Sequence, residues 1–340
     1  MVKSGALKLG VLLGDPRLPY AYGAGGRIGE DELDGVRRLK AALTTLPNIQ
    51  PSYFDDHSRL IDDLRAHPPG LALNLCDNGY RNNLRHELNI PALLEILDIP
   101  YTGAGPVCMS LCTDKALIRA LAVSLEIPVP GETIVDLSAE YWPLPERYPA
   151  LIKPNSSDGS FGITADCVVH DDDGARAYLR WLAEEFGRTL ALVQEFLTGE
   201  EYTVGIVGNP ETGLTVLPPL AIDYSGLDPG LPPILPYESK ADTDSPYWHT
   251  LQFRRADLDE ETYARLVDHS TRLFMRLNCR DYARIDFRAN ADGVPRLLDA
   301  NYNPTWNYNG KMAIMAGYAG YGYADLLAMI VEAAIARYGL

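Results

Sequence analysis

The chain has 340 residues, of which 46% are apolar, and a formal net charge of −16. This length suits two or three packed subdomains, and the apolar content argues against disorder. The acidic balance and the lack of Lys/Arg clusters argue against nucleic acid and anionic membrane surfaces as partners. No stretch approaches twenty apolar residues, and the five scattered cysteines form no CxxC pair. We therefore expect a cytoplasmic globular protein that acts on a small molecule.

The first hundred residues alternate strand and helix signals, which predicts a small parallel α/β domain. The predicted strands are 7–13, 51–54 and 71–77, and the predicted helices are 31–43, 58–66 and 86–97. The glycine-rich loop after the first strand allows a second interpretation, an NAD-binding dehydrogenase with Asp55 or Asp56 at the ribose. Ile28 weakens it, because the GxGxxG pattern counted from Gly23 and Gly25 requires glycine there.

Residues 281–304 predict two short strands joined by a tight turn at Asp292-Gly293. Centring the pairing on that turn places four polar side chains on one face: Arg284 opposite Asn301, and Asp286 opposite Asp299. The other face suits a core and carries Ile285, Phe287, Leu298 and Ala300. Oxygen ligands beside a guanidinium suit a magnesium phosphate, since Mg²⁺ prefers carboxylates and phosphates. An ordinary amphipathic hairpin with a charged outer face is the alternative.

The run from RIDF to LLDANYNP resembles the metal hairpin of the ATP-grasp enzymes, specifically the D-alanine–D-alanine ligase branch, whose pattern is R-x-D followed by E-x-N-x-x-P. Asp299 stands here in place of the glutamate. The resemblance covers most of the chain and implies an α/β (α+β) ATP-grasp fold. It implies an N-terminal parallel α/β domain over 1–103, a central lobe over 104–190 and a C-terminal lobe with the metal hairpin over 191–340. The implied cofactors are ATP and Mg²⁺, with Mn²⁺ as a substitute, and the implied metal ligands are Asp286, Asp299 and Asn301.

The same resemblance implies a nucleotide site. In residues 148–169 a strand ends in a lysine and is followed by a loop of small residues. The exposed N–H groups of such a loop, together with the lysine, can bind triphosphate oxygens. A hairpin with a flexible tip is the alternative. The residues implied at the phosphates are Lys115, Lys153, Ser160, Gly162 and, on a lid, Lys240. Those implied at the adenine are Gln194, Glu195, Phe196 and Leu197, and Glu201 is implied at the ribose.

The activity implied is an ATP-dependent ligase that joins a carboxylate to an amine, both of them amino acids or dipeptide-like molecules. The carboxylate takes the γ-phosphoryl group to give an acyl phosphate, which the amine attacks while Arg284 stabilises the oxyanion. A homodimer is expected because the family is commonly dimeric. The alternatives are a D-alanine–D-alanine ligase of peptidoglycan synthesis, an amide ligase of specialised metabolism, and a nucleotide-binding protein that has lost catalysis.

Departures from the family pattern concentrate at the amino-acid sites. Neither Glu30 nor Glu32 stands where a glutamate holds the first ammonium, and Gly159 and Ala241 replace its supporting serine and tyrosine. Three further positions are implied at the second amino acid: Thr305, Gly310 and Lys311. Lost polar partners change selectivity strongly, so we predict a substrate pair other than two D-alanines. The alternative is that Tyr22 or Glu30 supplies an equivalent group from elsewhere in the loop.

Overall fold

The computed structural model describes residues 6–21, 23–156, 159–187, 189–242 and 244–340, without the side chains of residues 24, 240 and 241. The strands are β1 (Leu7–Leu12), β2 (Ile49–Phe54), β3 (Leu71–Asn74), β4 (Glu132–Asp136), β5 (Ala150–Pro154), β6 (Val168–Val169), β7 (Leu190–Glu195), β8 (Glu201–Asn209), β9 (Gly213–Val216), β10 (Leu220–Asp223), β11 (Gln252–Arg255), β12 (Tyr282–Ala289) and β13 (Pro295–Asn301). The helices are α1 (Glu30–Leu43), α2 (Leu60–Ala66), α3 (Asn89–Ile96), α4 (Pro106–Cys112), α5 (Lys115–Ser124), α6 (Asp172–Glu185), α7 (Glu238–Ala241), α8 (Pro246–Thr250), α9 (Glu260–Arg276), α10 (Lys311–Tyr318) and α11 (Tyr323–Tyr338). They are arranged around three sheets.

The N-terminal sheet is parallel in the order β2-β1-β3, which confirms the α/β alternation predicted for this part of the chain. The apolar residues of β3 and most of those of β1 are buried, whereas Ile49 and Tyr53 of the edge strand β2 are only partly buried. Helix α3 begins at Asn89, later than the predicted start, because residues 84–86 form a 3-10 turn whose N-cap Asn83 accepts a bond from the amide of Arg85.

The second sheet is antiparallel, in the order β4-β7-β5-β6, and packs against α6. Because β7 pairs with both β4 and β5, the lobe boundary predicted at 190/191 falls after Glu195. Helices α4 and α5 also depart from the predicted central lobe, since Cys108 and Ile118 pack in the core of the third sheet. The lobe centred on the second sheet therefore excludes most of residues 104–127.

The third sheet follows the order β11-β10-β8-β12-β13, with β9 also paired to β8. One face packs against α4, α5 and α9, and the other against α10, α11 and the N-terminal domain. In the described part of the chain, no single helix is long and apolar enough to span a membrane; only α10 and α11 together, bent by 101°, pass on length and composition.

The β12–β13 hairpin pairs Arg284 with Asn301 and Asp286 with Asp299, as predicted. Its turn is not the predicted one: the amide of Asn290 donates to the carbonyl of Val294, so three residues form the loop and Gly293 takes the positive φ of 80°. A bulge between Asp286 and Phe287 restores the predicted register at the site end. As a correction, Leu297 joins the core in place of Leu298, which lines the pocket described next.

Candidate active site

The polar face of the hairpin forms one wall of a pocket between the second and third sheets. Asp286 is its most heavily bonded member, since its Oδ2 accepts from Arg284 Nη2 at 2.9 Å and from Asn301 Nδ2 at 3.0 Å. Its Oδ1 accepts from the Thr203 hydroxyl on the neighbouring strand at 2.8 Å. Burial raises the pKa of Asp286, but the charges of Arg284 and Lys311 outweigh this effect and lower that pKa below its ordinary value. The carboxylate is therefore ionised at neutral pH.

Lys115 and Lys153 converge on the same pocket from different elements, as predicted. Asp114 caps the N-terminus of α5, and the loop after β5 docks on that terminus because Asn155 Oδ1 accepts from the Ala116 amide at 2.9 Å. This contact brings Lys115, the first residue of α5, beside the end of β5. Lys115 Nζ lies 3.3 Å from Asp299 Oδ2. Asn155 was not identified from sequence, because the contact joins two segments that are 39 residues apart.

Lys153 differs from Lys115 in having no carboxylate within 4.0 Å of its Nζ among the described residues. It is 6% exposed. Burial, followed by repulsion from Lys115, lowers the pKa of Lys153 to about 8. The folded chain thus holds a desolvated ammonium without an ion-pair partner within 4.0 Å in the described residues, although Asp299 and Glu132 attract it from farther away.

The described part of the predicted phosphate loop, from residue 159 onward, borders the pocket, and residues 157 and 158 are outside the described part. Ser160 and Gly159 line the pocket, and Ser160 Oγ donates to the carbonyl of Leu235, which lies shortly before α7, at 3.0 Å. Gly162 does not line it but has φ of 70°, and a Cβ there would lie 2.4 Å from Pro154. Glycine is therefore required where the loop returns over β5.

Another part of the pocket wall is mostly apolar. Its lining comprises the predicted adenine residues Gln194, Glu195, Phe196 and Leu197, together with Leu151, Ile163, Ile234 and Leu235. Gln194 is buried, and its Nε2 donates to Glu132, which also pairs with Arg119. This leaves the amide oxygen of Gln194 as its acceptor. Glu132 was missed from sequence because only the β4–β7 pairing places it beside Gln194.

Glu201, predicted at the ribose, is buried in the same wall at the start of β8. Its Oε2 accepts from the Tyr224 hydroxyl at 2.8 Å and lies 3.6 Å from Arg288 Nη1. Arg288 lines the pocket as well, two residues beyond Asp286 on β12, and was not identified from sequence. The R-x-D-x-R alternation could have indicated it, because residues 284, 286 and 288 share one face of a strand.

The three residues predicted at the second amino acid do not form one site. Lys311 lines the pocket that holds the polar face of the hairpin, and its Nζ donates to Thr203 Oγ1 at 3.5 Å. Thr305 lines a second cavity with Glu32, Asp77 and Trp306. Gly310 is the N-cap of α10 and lines neither cavity.

The remaining predictions concern the first ammonium and the lid. Glu30 is exposed, with its Oε2 3.7 Å from Arg37, and does not line the second cavity. Burial, ahead of repulsion from Glu32, raises the pKa of Asp77 in that cavity to about 7. Tyr22 and the side chain of Lys240 lie outside the described residues.

The donor set fits a magnesium ion that is completed by phosphates. In the described ranges, no group of three or more His, Cys, Asp or Glu side chains is placed to hold a metal unaided. Asp286, Asp299 and Asn301 nevertheless line one pocket and present carboxylate and amide oxygens. Mg²⁺ is usually held by one or two carboxylates together with substrate phosphates, so this set suits it.

Known proteins resemble this chain in sequence and in fold. The family described as D-ala D-ala ligase C-terminus matches residues 144–332. The D-alanine–D-alanine ligase of Bordetella pertussis is 31% identical over 316 residues, which cover 91% of this chain and 93% of that enzyme. The structure of the Bacillus anthracis D-alanine–D-alanine ligase complexed with ATP has a TM-score of 0.72 at 21% identity and covers 98% of each chain. The VanG D-Ala:D-Ser ligase of Enterococcus faecalis has a TM-score of 0.69 at 16% identity, covering 96% of this chain and 99% of its own. At these identities the two structures show a shared ATP-grasp fold.

Proposed function

The chain belongs to the D-alanine–D-alanine ligase family of ATP-dependent carbon–nitrogen ligases, and on that premise we propose that its pocket binds magnesium ATP and activates an amino-acid carboxylate. One observation carries this proposal: the ammonium groups of Lys153 and Lys311 line the same pocket as the oxygens of Asp286, Asp299 and Asn301. In the described structure, neither ammonium has a carboxylate within 4.0 Å. Buried cations without an ion-pair partner in direct contact favour a polyanion, and the oxygens favour its metal.

The proposed roles follow the two ends of the pocket. Phe196 and Leu197 enclose the adenine, the Gln194 amide oxygen accepts from its amino group, and Glu201, held by Tyr224 and Arg288, binds the ribose. At the other end Lys115, Lys153 and Lys240 bind the phosphates, and Ser160 and Gly162 shape the loop above them. Mg²⁺, when bound, neutralises phosphate charge and polarises the transferred group.

The proposed chemistry has two steps, neither of which needs a protein nucleophile. The substrate carboxylate attacks the γ-phosphorus and displaces ADP, which yields an acyl phosphate. An amine then attacks the acyl carbon and phosphate leaves, while Arg284, held by Asp286 at 2.9 Å, stabilises the oxyanion. Positioning and charge neutralisation supply most of the rate acceleration in such transfers.

We propose that the substrates are not two D-alanines. The second cavity supports this, because Glu32, Asp77 and Trp306 line it together with Thr305 and supply a large indole and two acidic side chains. Such a lining favours an amino acid whose side chain is larger than that of alanine or carries an amine. A cytoplasmic location and a homodimer, with neither nucleic acid nor membrane as a partner, complete the proposal. The dehydrogenase interpretation is not retained, because the chain belongs to a ligase family.

The test is ADP release in the presence of Mg²⁺ against a panel of D- and L-amino acids, supplied singly and in pairs. Release that requires a particular pair identifies the ligase and its substrates together. Release with D-alanine alone, at a rate no lower than with any pair, contradicts the specificity part. Tight ATP binding without release for any pair favours the protein that has lost catalysis.

A further inference from the structure

Lys311 occupies the pocket wall beside the carboxylates that would hold a metal. As the first residue of α10 it reaches across the third sheet, where its Nζ donates to Thr203 Oγ1 at 3.5 Å. The Thr203 hydroxyl in turn donates its one proton to Asp286 Oδ1 at 2.8 Å. The ammonium therefore directs its positive charge at Asp286 through a polarised hydroxyl.

The acceptor capacity of Asp286 is already used. A carboxylate offers about four lone-pair positions. On Asp286 these receive Thr203 Oγ1 at 2.8 Å, Arg284 Nε at 3.1 Å, Arg284 Nη2 at 2.9 Å and Asn301 Nδ2 at 3.0 Å. A cation bound directly to Asp286 would have to displace one of these donors and approach both Arg284 and Lys311. Two like charges at short range in a partly desolvated wall make that position unfavourable.

The other half of the hairpin remains suited to a metal. Asp299 accepts from the amide of Ala300 at 3.0 Å and lies 3.3 Å from Lys115, which leaves part of its carboxylate open to the pocket. Asn301 donates through Nδ2 to Asp286 and to the Arg284 carbonyl, so its Oδ1 is the atom that is left for a cation. Phosphoryl-transfer sites contain either one metal ion or a pair about 3.5–4 Å apart. Here only one strand of the hairpin, β13, offers ligands, and these are Asp299 and Asn301.

We propose that this site binds a single divalent ion with each ATP, on Asp299 and Asn301, and that the Lys311 ammonium occupies the position of a second ion. Of the three oxygen donors assigned to the metal above, Asp286 is then not a ligand but a positioning residue that holds Arg284 and Asn301 in place. The inference rests on the proposed function, because it concerns the number of ions in the proposed ATP site.

The test is the number of Mn²⁺ ions bound with a non-hydrolysable ATP analogue, with protein in excess over the analogue. Titration followed by electron paramagnetic resonance counts the ions, and a Mn²⁺–Mn²⁺ coupling signal reveals any pair. We expect one ion and no coupling in the wild type and in the charge-conserving Lys311→Arg. In Lys311→Met we expect two coupled ions, because a cation that displaces one donor of Asp286 then meets a single like charge, that of Arg284. Lys8→Met, which removes an exposed lysine on β1, is the matched control and should bind one ion.

The outcomes separate the two claims. Two coupled ions in the wild type overturn the single-ion inference but leave the proposed ATP site standing. One ion in Lys311→Met overturns the role given to Lys311, and Lys311→Gln replaces that variant if it does not fold. No Mn²⁺ bound with the analogue in the wild type overturns the proposed function and, with it, this inference.

Discussion

Replacing Lys153 by methionine should change ATP affinity and stability in opposite directions. The pKa of Lys153 falls from its ordinary value near 10.5 to about 8 on folding, mainly through burial. Each tenfold change in proton affinity corresponds to about 1.4 kcal/mol, so keeping this ammonium charged at pH 7 costs the folded protein about 3 kcal/mol. Methionine fills a similar volume without charge. We expect Lys153→Met to gain up to about that amount in the free energy of unfolding without ATP.

The same substitution should weaken ATP binding. Hydrogen bonds to charged groups contribute about 1.5 to 3 kcal/mol, which corresponds to about a 10- to 150-fold rise in Kd. Calorimetry measures the affinity, and urea unfolding at pH 7 measures the stability. The pH dependence gives a second check: because the unfolded chain binds the extra proton between pH 8 and 10.5, wild-type stability should rise across that window. In Lys153→Met this contribution should be absent.

Lys115→Met is the matched control, because Lys115 lies in the same pocket but pairs with Asp299 at 3.3 Å. Its removal should weaken ATP binding comparably and bring no gain in stability, since it leaves a carboxylate without its partner. A Lys153→Met protein that is less stable than the wild type at pH 7, or that binds ATP equally well, would refute the reasoning.

Further substitutions test the rest of the site. Asp299→Asn should abolish ADP release and lower the free energy of unfolding, because it leaves the buried Lys115 ammonium without its partner at 3.3 Å; near-normal turnover would remove Asp299 from the metal site. Asp286→Asn should also abolish release, and should lower the free energy of unfolding by about 3 kcal/mol by leaving Arg284 unpaired. Because the pKa of Asp286 is lowered on folding, the ionised Asp286 stabilises the wild-type fold above about pH 4, and this stabilisation is lost as the pH falls. A pH–stability profile of Asp286→Asn that matches the wild type below pH 4 would contradict this. Gly162→Ala should weaken ATP binding at least tenfold, because its Cβ would meet Pro154 at 2.4 Å; an unchanged Kd would exclude a role for the loop. With D-alanine as sole amino acid, kcat/KM should be at least a hundredfold below that with the preferred pair, and efficient synthesis at millimolar D-alanine would refute the specificity proposal.

Short-range patterns in the sequence were enough to predict the central features of the site. Alternation along β12 and β13 placed Arg284, Asp286, Asp299 and Asn301 on one face, and the structure pairs them as predicted. The predicted turn was nevertheless wrong, and the register at the site is correct because a three-residue loop and a bulge offset each other. Loop length and bulges depend on local backbone geometry that hydrophobic alternation does not encode.

Contacts between distant segments were decided only by the tertiary structure. Asn155 joins the end of β5 to the start of α5 and so sets Lys115 beside Lys153. Lys311 lies ten residues beyond Asn301, and only the path of α10 across the third sheet decides that its ammonium faces Thr203 and not the cavity around Thr305. Strand and helix periods relate neighbours in sequence. Which side chains meet across the pocket depends on how three separate sheets pack. Burial of their apolar faces favours one arrangement, and that arrangement determines where the polar side chains of the pocket lie.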